Sequence, residues 1–216
     1  MKEAIWSNPR DVRMALTRLG LTLEPLQDAL RAGYLFRISR TENDAPSAPG
    51  FYQWNETLKM LREQLVAIGW ERNNDSGFPT VVNRAMSLAI SVSSGNENTG
   101  NPSAIPSTKY HKGPCTVDRV SSNAQIELDL YPDLPAPVRS SDGDSAFLTW
   151  TLLFYTDCDE IRAELSLPVL IDAGGQINAW KERIILPVIP LDGDGSKLTT
   201  EPDFGPDVDI NIRRRA

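Results

Sequence analysis

The spacing of apolar residues changes once along this chain, and that change limits the folds open to it. Up to Gly69 they recur every three or four residues; from Met86 onward they alternate. A period near 3.6 belongs to helices packed by one face, and a period of two belongs to strands. Asn8 is placed to cap a helix with Pro9 at its first position, where a missing N–H costs nothing. Val12, Leu16 and Leu19 follow on one face, and Gly20 stops it. Thr22 opens a second helix carrying Leu23, Leu26 and Leu30 and ending near Gly33. Tyr34 to Ile38 reads as a short strand or the entry to a loop, and 39–50 as a polar, Pro/Ser-rich connection. Asn55 caps a third helix with Leu58, Leu61, Leu65 and Ile68 on one face and Gly69 as its stop.

In the second part, Met86, Leu88, Ile90 and Val92 alternate with Ser87, Ala89, Ser91 and Ser93, which describes a half-buried strand. Ile126, Leu128 and Leu130 alternate with Glu127, Asp129 and Tyr131 and read as another. Phe147 to Tyr155 is long, aromatic and β-branched. The turn Asp157-Cys158-Asp159 returns it through Ile161, Ala163, Leu165 and Leu167, with Arg162, Glu164 and Ser166 facing out. A second turn at Asp172 to Gly175 leads into 177–185, and Val208, Ile210 and Ile212 suit an edge strand. Helices first and strands afterwards predict an α+β fold: three N-terminal helices followed by a mainly antiparallel β-meander sheet with long loops. The division falls at a helical 1–75 and a β-rich 76–216, which can also form one domain.

Between the alternating segments lies Ser94 to Thr116, SGNENTGNPSAIPSTKYHKGPCT, which has neither period. It holds three glycines, three prolines, the single histidine and one of two cysteines. Loops of this length in a compact domain are usually functional or disordered. Asn96, Asn98, Thr99, Lys109, His111 and Lys112 are its candidate ligand-binding residues: backbone N–H groups turned toward an anion, two ammonium groups and one imidazole. The loop has no GxxxxGK[ST] pattern and leads into no expected helix, so the Walker and Rossmann arrangements do not apply. His111 with Cys115 lacks the third, orienting group a thiol nucleophile needs, and falls short of four zinc ligands.

Glu127 and Asp129, projecting together from one strand, are the candidate metal ligands, with Glu160, Glu164, Lys181, Glu182 and Arg183 on neighbouring strands. Cross-strand charge pairing explains the same residues. Asp192-Gly-Asp-Gly-Ser196 has Lys197 where a calcium-binding EF-hand loop needs glycine. Trp54, Trp70, Trp150 and Trp180 are assigned to cores; Trp6 and the terminal Arg213, Arg214 and Arg215 are candidate partner contacts.

The formal net charge of −7 argues against a general nucleic-acid binder. The charge is uneven: residues 1–72 carry ten basic and nine acidic side chains, and the rest twelve and twenty, which leaves room for a local basic patch. No apolar run reaches the ~20 residues that span a bilayer. The segment MKEAIWSNPRD has no signal core, and two cysteines read as thiols of a cytoplasmic protein. The expectation is a non-catalytic binding or assembly subunit with no cofactor, contacting other protein chains and no membrane. Its placement in an intracellular prokaryotic or phage system rests on no residue. The alternative is a nucleotide- or nucleic-acid-processing enzyme, with the 94–116 loop for phosphate and Glu127/Asp129 for a divalent metal.

Overall fold

The computed structural model describes residues 3–128 and 147–191, with backbone alone over 126–128. Strand β1 (Ala4–Trp6) precedes helix α1 (Pro9–Arg18). Asn8 caps α1 through its side chain, which accepts from Arg10 N at 3.0 Å, and the helix buries Val12, Ala15 and Leu16. Helix α2 (Leu23–Ile38) runs through Gly33 and takes in the segment expected as strand or loop. Gly33 is a packing residue and not a stop. A Cβ there would collide with Thr57 Oγ1 and stand 2.6 Å from Gln53 O, so the glycine lets the next helix come close.

That helix, α3 (Ala48–Val66), starts well before Asn55, with Pro49 in its first turn. Leu58, Leu61 and Leu65 are buried as the spacing predicts, whereas Ile68 lies beyond the helix and is exposed. Strands β2 (Glu71–Asn73), β3 (Thr80–Asn83) and β4 (Leu88–Ser94) follow as antiparallel neighbours. Met86 belongs to the turn between β3 and β4, where Ser87 takes a φ of 52°.

Helix α4 (Pro114–Leu128) takes in Ile126 to Leu128 and corrects their reading as strand; 129–131 of that reading lie outside the described residues. Three alternating residues are too short a sample to separate a strand from a helix end. Strands β5 (Leu148–Thr156), β6 (Glu160–Ile171) and β7 (Ile177–Ile185) form the expected meander, and β8 (Ile189–Pro190) pairs with the start of β6. The sheet order is β1-β7-β6-β5-β4-β3-β2. It is mixed: β4 runs parallel to β5 over seven residue pairs, and β1 runs parallel to β7. A parallel pair needs a crossover, and the 95–113 segment with α4 lies in that connection.

The molecule has three layers. Helices α1–α3 cover one face of the sheet, where Ile90, Val92, Leu152, Phe154, Leu165 and Ile184 join Leu16, Leu30, Leu61 and Leu65 in the main core. The other face lies under 95–113 and α4, where Val120 packs on Leu153, Ile177 and Trp180. Glu164 and Ser166, expected in solvent, are fully buried there, because the alternation fixes the face but not what covers it.

Candidate functional site

The long loop is seated by a buried ion pair. Arg183 of β7 and Glu164 of β6 are both 0% exposed, with Nε to Oε1 at 3.0 Å and Nη2 to Oε2 at 2.7 Å. Burial of two charges is costly unless every remaining donor and acceptor is met. Here Ser166 Oγ and Gly100 N donate to Glu164, while Arg183 donates to Ala104 O (2.8 Å) and Asn101 O (3.0 Å). Gly100 reaches the carboxylate with a φ of +75°, a conformation glycine takes without penalty. Neighbouring Glu3 stands 3.8 Å from Arg183, and its carboxyl is pushed above the usual range by burial, against the pull of Arg183 and with the push of Glu164.

A second buried side chain seats α4. Asn123 donates to Thr149 O and Pro168 O, each at 2.9 Å, and accepts from Thr149 N at 2.8 Å. Its amide bridges β5 and β6 beyond their last pair, Thr151 with Ser166, beside Pro168, where the register of β6 against β7 shifts.

The six loop candidates have different surroundings. Asn96 Oδ1 accepts from Asn98 N and Ser107 N, both at 3.2 Å, and Asn98 Nδ2 donates to Ile105 O. Thr99 is fully buried. His111 is exposed and packs beside Gly175, whose amide oxygen accepts from Lys112 N. Lys112 Nζ donates to Ser93 Oγ at 2.8 Å, and Lys109 Nζ lies 5.3 Å from the Tyr110 ring centroid. Asn96 and Lys109 thus come together at one place and Lys112 at another.

Both places flank the carboxyl end of β4. The strand-end cleft, about 230 Å³, is lined by Arg37, Gly50, Gln53, Asn96, Lys109 and Thr156, among others. Gln53, 2% exposed, donates to Thr156 Oγ1 at 2.6 Å, and Arg37 Nη1 stands 3.5 Å from Gln53 Oε1. The edge cleft, about 150 Å³, lies beside Ser91 and Val92, beyond the last β3–β4 pair, with Trp54, Phe78, Lys112 and Cys115 on its walls. Trp54 Nε1 donates to Val92 O at 3.0 Å, and Cys115 Sγ approaches Ser76 O at 3.3 Å.

Between Gly50 and Trp54 stands Phe51, 57% exposed, its ring 5.7 Å from Tyr52 and 5.9 Å from Trp54. Arg40 covers Tyr52 at 4.5 Å. Leu35, Phe36 and Ile38, at the same end of the α2–α3 hairpin, are also exposed. This end falls within 34–54, which the spacing of apolar residues leaves outside any helix; Pro49 was the available signal.

Of the metal candidates, Glu127 stands on α4, and Asp129 lies outside the described residues. Among the described residues no group of three or more His, Cys, Asp or Glu is arranged to hold a metal ion. Trp6 is half-buried, not exposed: its Nε1 donates to Glu182 Oε1 at 2.6 Å, and Arg18 bridges the same carboxylate. Arg213, Arg214 and Arg215, the 192–197 turn and the edge strand at 208–212 lie outside the described residues. Cys115 and Cys158 form no disulfide; a hydrogen bond with Asp159 foremost, then burial and Asp157, pushes the Cys158 thiol up, away from nucleophilic use. No described helix is long and apolar enough to cross a membrane. No family model matches this chain, and neither a characterised protein nor a solved structure shows significant similarity to it.

Proposed function

We propose that the protein is a non-catalytic binding subunit that contacts another protein chain through the end of the α2–α3 hairpin. The observation that carries this reading is the exposed group of Leu35, Phe36, Ile38 and Phe51, with Tyr52 and Arg40 beside it. Exposed large apolar side chains gathered at one end of a hairpin suit an interaction surface, and interface centres are enriched in aromatic residues and arginine. The hairpin that presents them is held by Gly33 against Thr57 and by the buried leucines of α3, so the surface is rigid before a partner arrives. The cations nearby, Arg37, Arg40 and Lys109, suit a partner whose apolar contacts are flanked by carboxylates. The enzymatic alternative has less support, since Lys112 is engaged by Ser93 and Glu127 stands on a helix.

The test compares two exposed apolar positions on opposite layers. Phe51→Asp is expected to abolish stoichiometric co-purification of a partner from the native host while leaving thermal stability unchanged. Ile105→Asp, in the 95–113 segment and 62% exposed, is expected to leave the complex intact. Equal loss with both variants, or a wild-type chain that purifies alone, overturns the reading.

A further inference from the structure

We infer that the strand-end cleft binds a small neutral polyhydroxyl ligand, a single sugar ring, at a site separate from the partner surface. The topology supplies the first argument. In sheets with covers on both faces, ligands bind in the crevice beyond the carboxyl ends of parallel strands, because the connections part there. β4 and β5 are a parallel pair, and Ser94, Gly95, Tyr155 and Thr156 at their ends line this cleft. Its lining joins Gln53 of α3 to Asn96 and Ser107 of the loop layer, so it opens between the two covers.

Charge does not choose the ligand. Arg37 and Lys109, the cations among the lining residues, already have partners, and Glu97, the one carboxylate, is exposed. A cationic ligand would meet like charge at the aromatic walls. Lys109 Nζ lies 5.3 Å from the Tyr110 ring centroid, and the Arg162 guanidinium 4.9 Å from that of Tyr155. Hydrogen bonding is what the lining offers. Four neutral groups on it have no hydrogen-bond partner among the described residues: Asn96 Nδ2, Gln176 Oε1 and the hydroxyls of Tyr110 and Tyr155. Two of them are held in place by the other half of the same amide. Asn96 Oδ1 accepts from Asn98 N and Ser107 N, which fixes Nδ2 as a donor. Gln176 Nε2 donates to Lys109 O at 3.1 Å, which fixes Oε1 as an acceptor. A fixed donor, a fixed acceptor and two rotatable hydroxyls match adjacent hydroxyl groups on a sugar, each of which both donates and accepts. The tyrosine rings and Phe154 add the apolar lining that ligand pockets combine with a few placed polar groups. At about 30 Å³ for each water, the volume of about 230 Å³ admits one sugar ring and not an enclosed chain of them.

The site is tested on the full chain by two-dimensional NMR of the side-chain amides. Glucose, galactose and mannose are titrated separately, beside the anionic glucuronate and protonated glucosamine at constant ionic strength. The expected result is a saturable shift of the Asn96 and Gln176 side-chain signals with at least one neutral sugar, at lower concentration than with either charged ring. Tyr110→Phe and Tyr155→Phe remove only a hydroxyl, and each is expected to weaken binding about fivefold, the scale of one neutral hydrogen bond. Tyr52→Phe, outside the cleft, leaves it unchanged. The wild-type map alone decides the matter if a variant does not fold. No saturable shift at Asn96 or Gln176 with any neutral sugar, tighter binding of a charged ring, or an equal loss with Tyr52→Phe overturns the inference. None of these outcomes bears on Phe51→Asp, so the partner surface stands or falls separately.

Discussion

Under α1–α3 the sheet presents Ile90, Val92, Leu152, Phe154, Leu165 and Ile184; under the 95–113 segment and α4 it presents Ser91, Ser93, Thr151, Glu164, Ser166 and Arg183. Both faces are buried, and they are closed by different forces. The helical cover adheres through apolar area, which is strong and non-directional. The loop cover has one small apolar cluster, Val120 on Leu153, Ile177 and Trp180, and is otherwise held by hydrogen bonds, among them those to one ion pair and one asparagine. Directional bonds give the loop a single seat, and they make the seat fragile, since one lost partner leaves others buried and unmet.

The contrast breaks most sharply at Arg183. Arg183→Met leaves the Glu164 carboxylate buried alone and is expected to cost about 3–5 kcal/mol, read by urea unfolding. The double variant Arg183→Met/Glu164→Leu removes the stranded charge and is expected to be more stable than the single one. A double variant as unstable as the single would mean that the loop's lost anchors, and not the lone charge, set the cost. Next in size is Asn123→Ala, at about 2 kcal/mol, because the Thr149 amide and the Thr149 and Pro168 carbonyls lose their partner. Within error of wild type, it would show that water replaces the side chain.

The smallest effect sharpens the comparison through pH. Burial raises the Glu3 carboxyl, so its folded form resists ionisation. Such a group contributes stability below the unfolded carboxylate range and loses it as pH rises through the folded value. Glu3→Gln is therefore expected to melt slightly higher than wild type at pH 7.5 and no higher at pH 4. A lower melting point at pH 7.5 would show that attraction to Arg183 outweighs burial.

The sequence carried the parts of this fold set by local periodicity. The cap at Asn8, the Leu58/Leu61/Leu65 stripe and the two turns of the β5–β6–β7 meander are where their residues place them. What it did not carry depends on distant partners. Gly33 looks like a stop until Thr57 is beside it, and Glu164 looks solvent-facing until Gly100 and Arg183 close on it. The parallel β4–β5 pair was hidden because the alternation of 126–130 mimics a strand where α4 ends. Of the cleft, Asn96 and Lys109 were legible from the loop's composition. Arg37, Gly50 and Gln53 were not, since nothing local tells a helix residue that it will face a strand end far along the chain, as Gln53 faces Thr156, 103 residues away.

The anchors of the loop also govern the order in which the molecule assembles. Gly100 waits for Glu164, 64 residues later, and Asn101 waits for Arg183, 82 residues later. Contacts of such separation form late, and during synthesis the ribosome releases 95–106 long before β7. Two surfaces stand uncovered through that interval: the loop itself and the sheet face it will close. The loop is chiefly polar, while the sheet face also carries Leu153, Ile177 and Trp180, so what the waiting chain offers its neighbours is polar apart from that small apolar cluster.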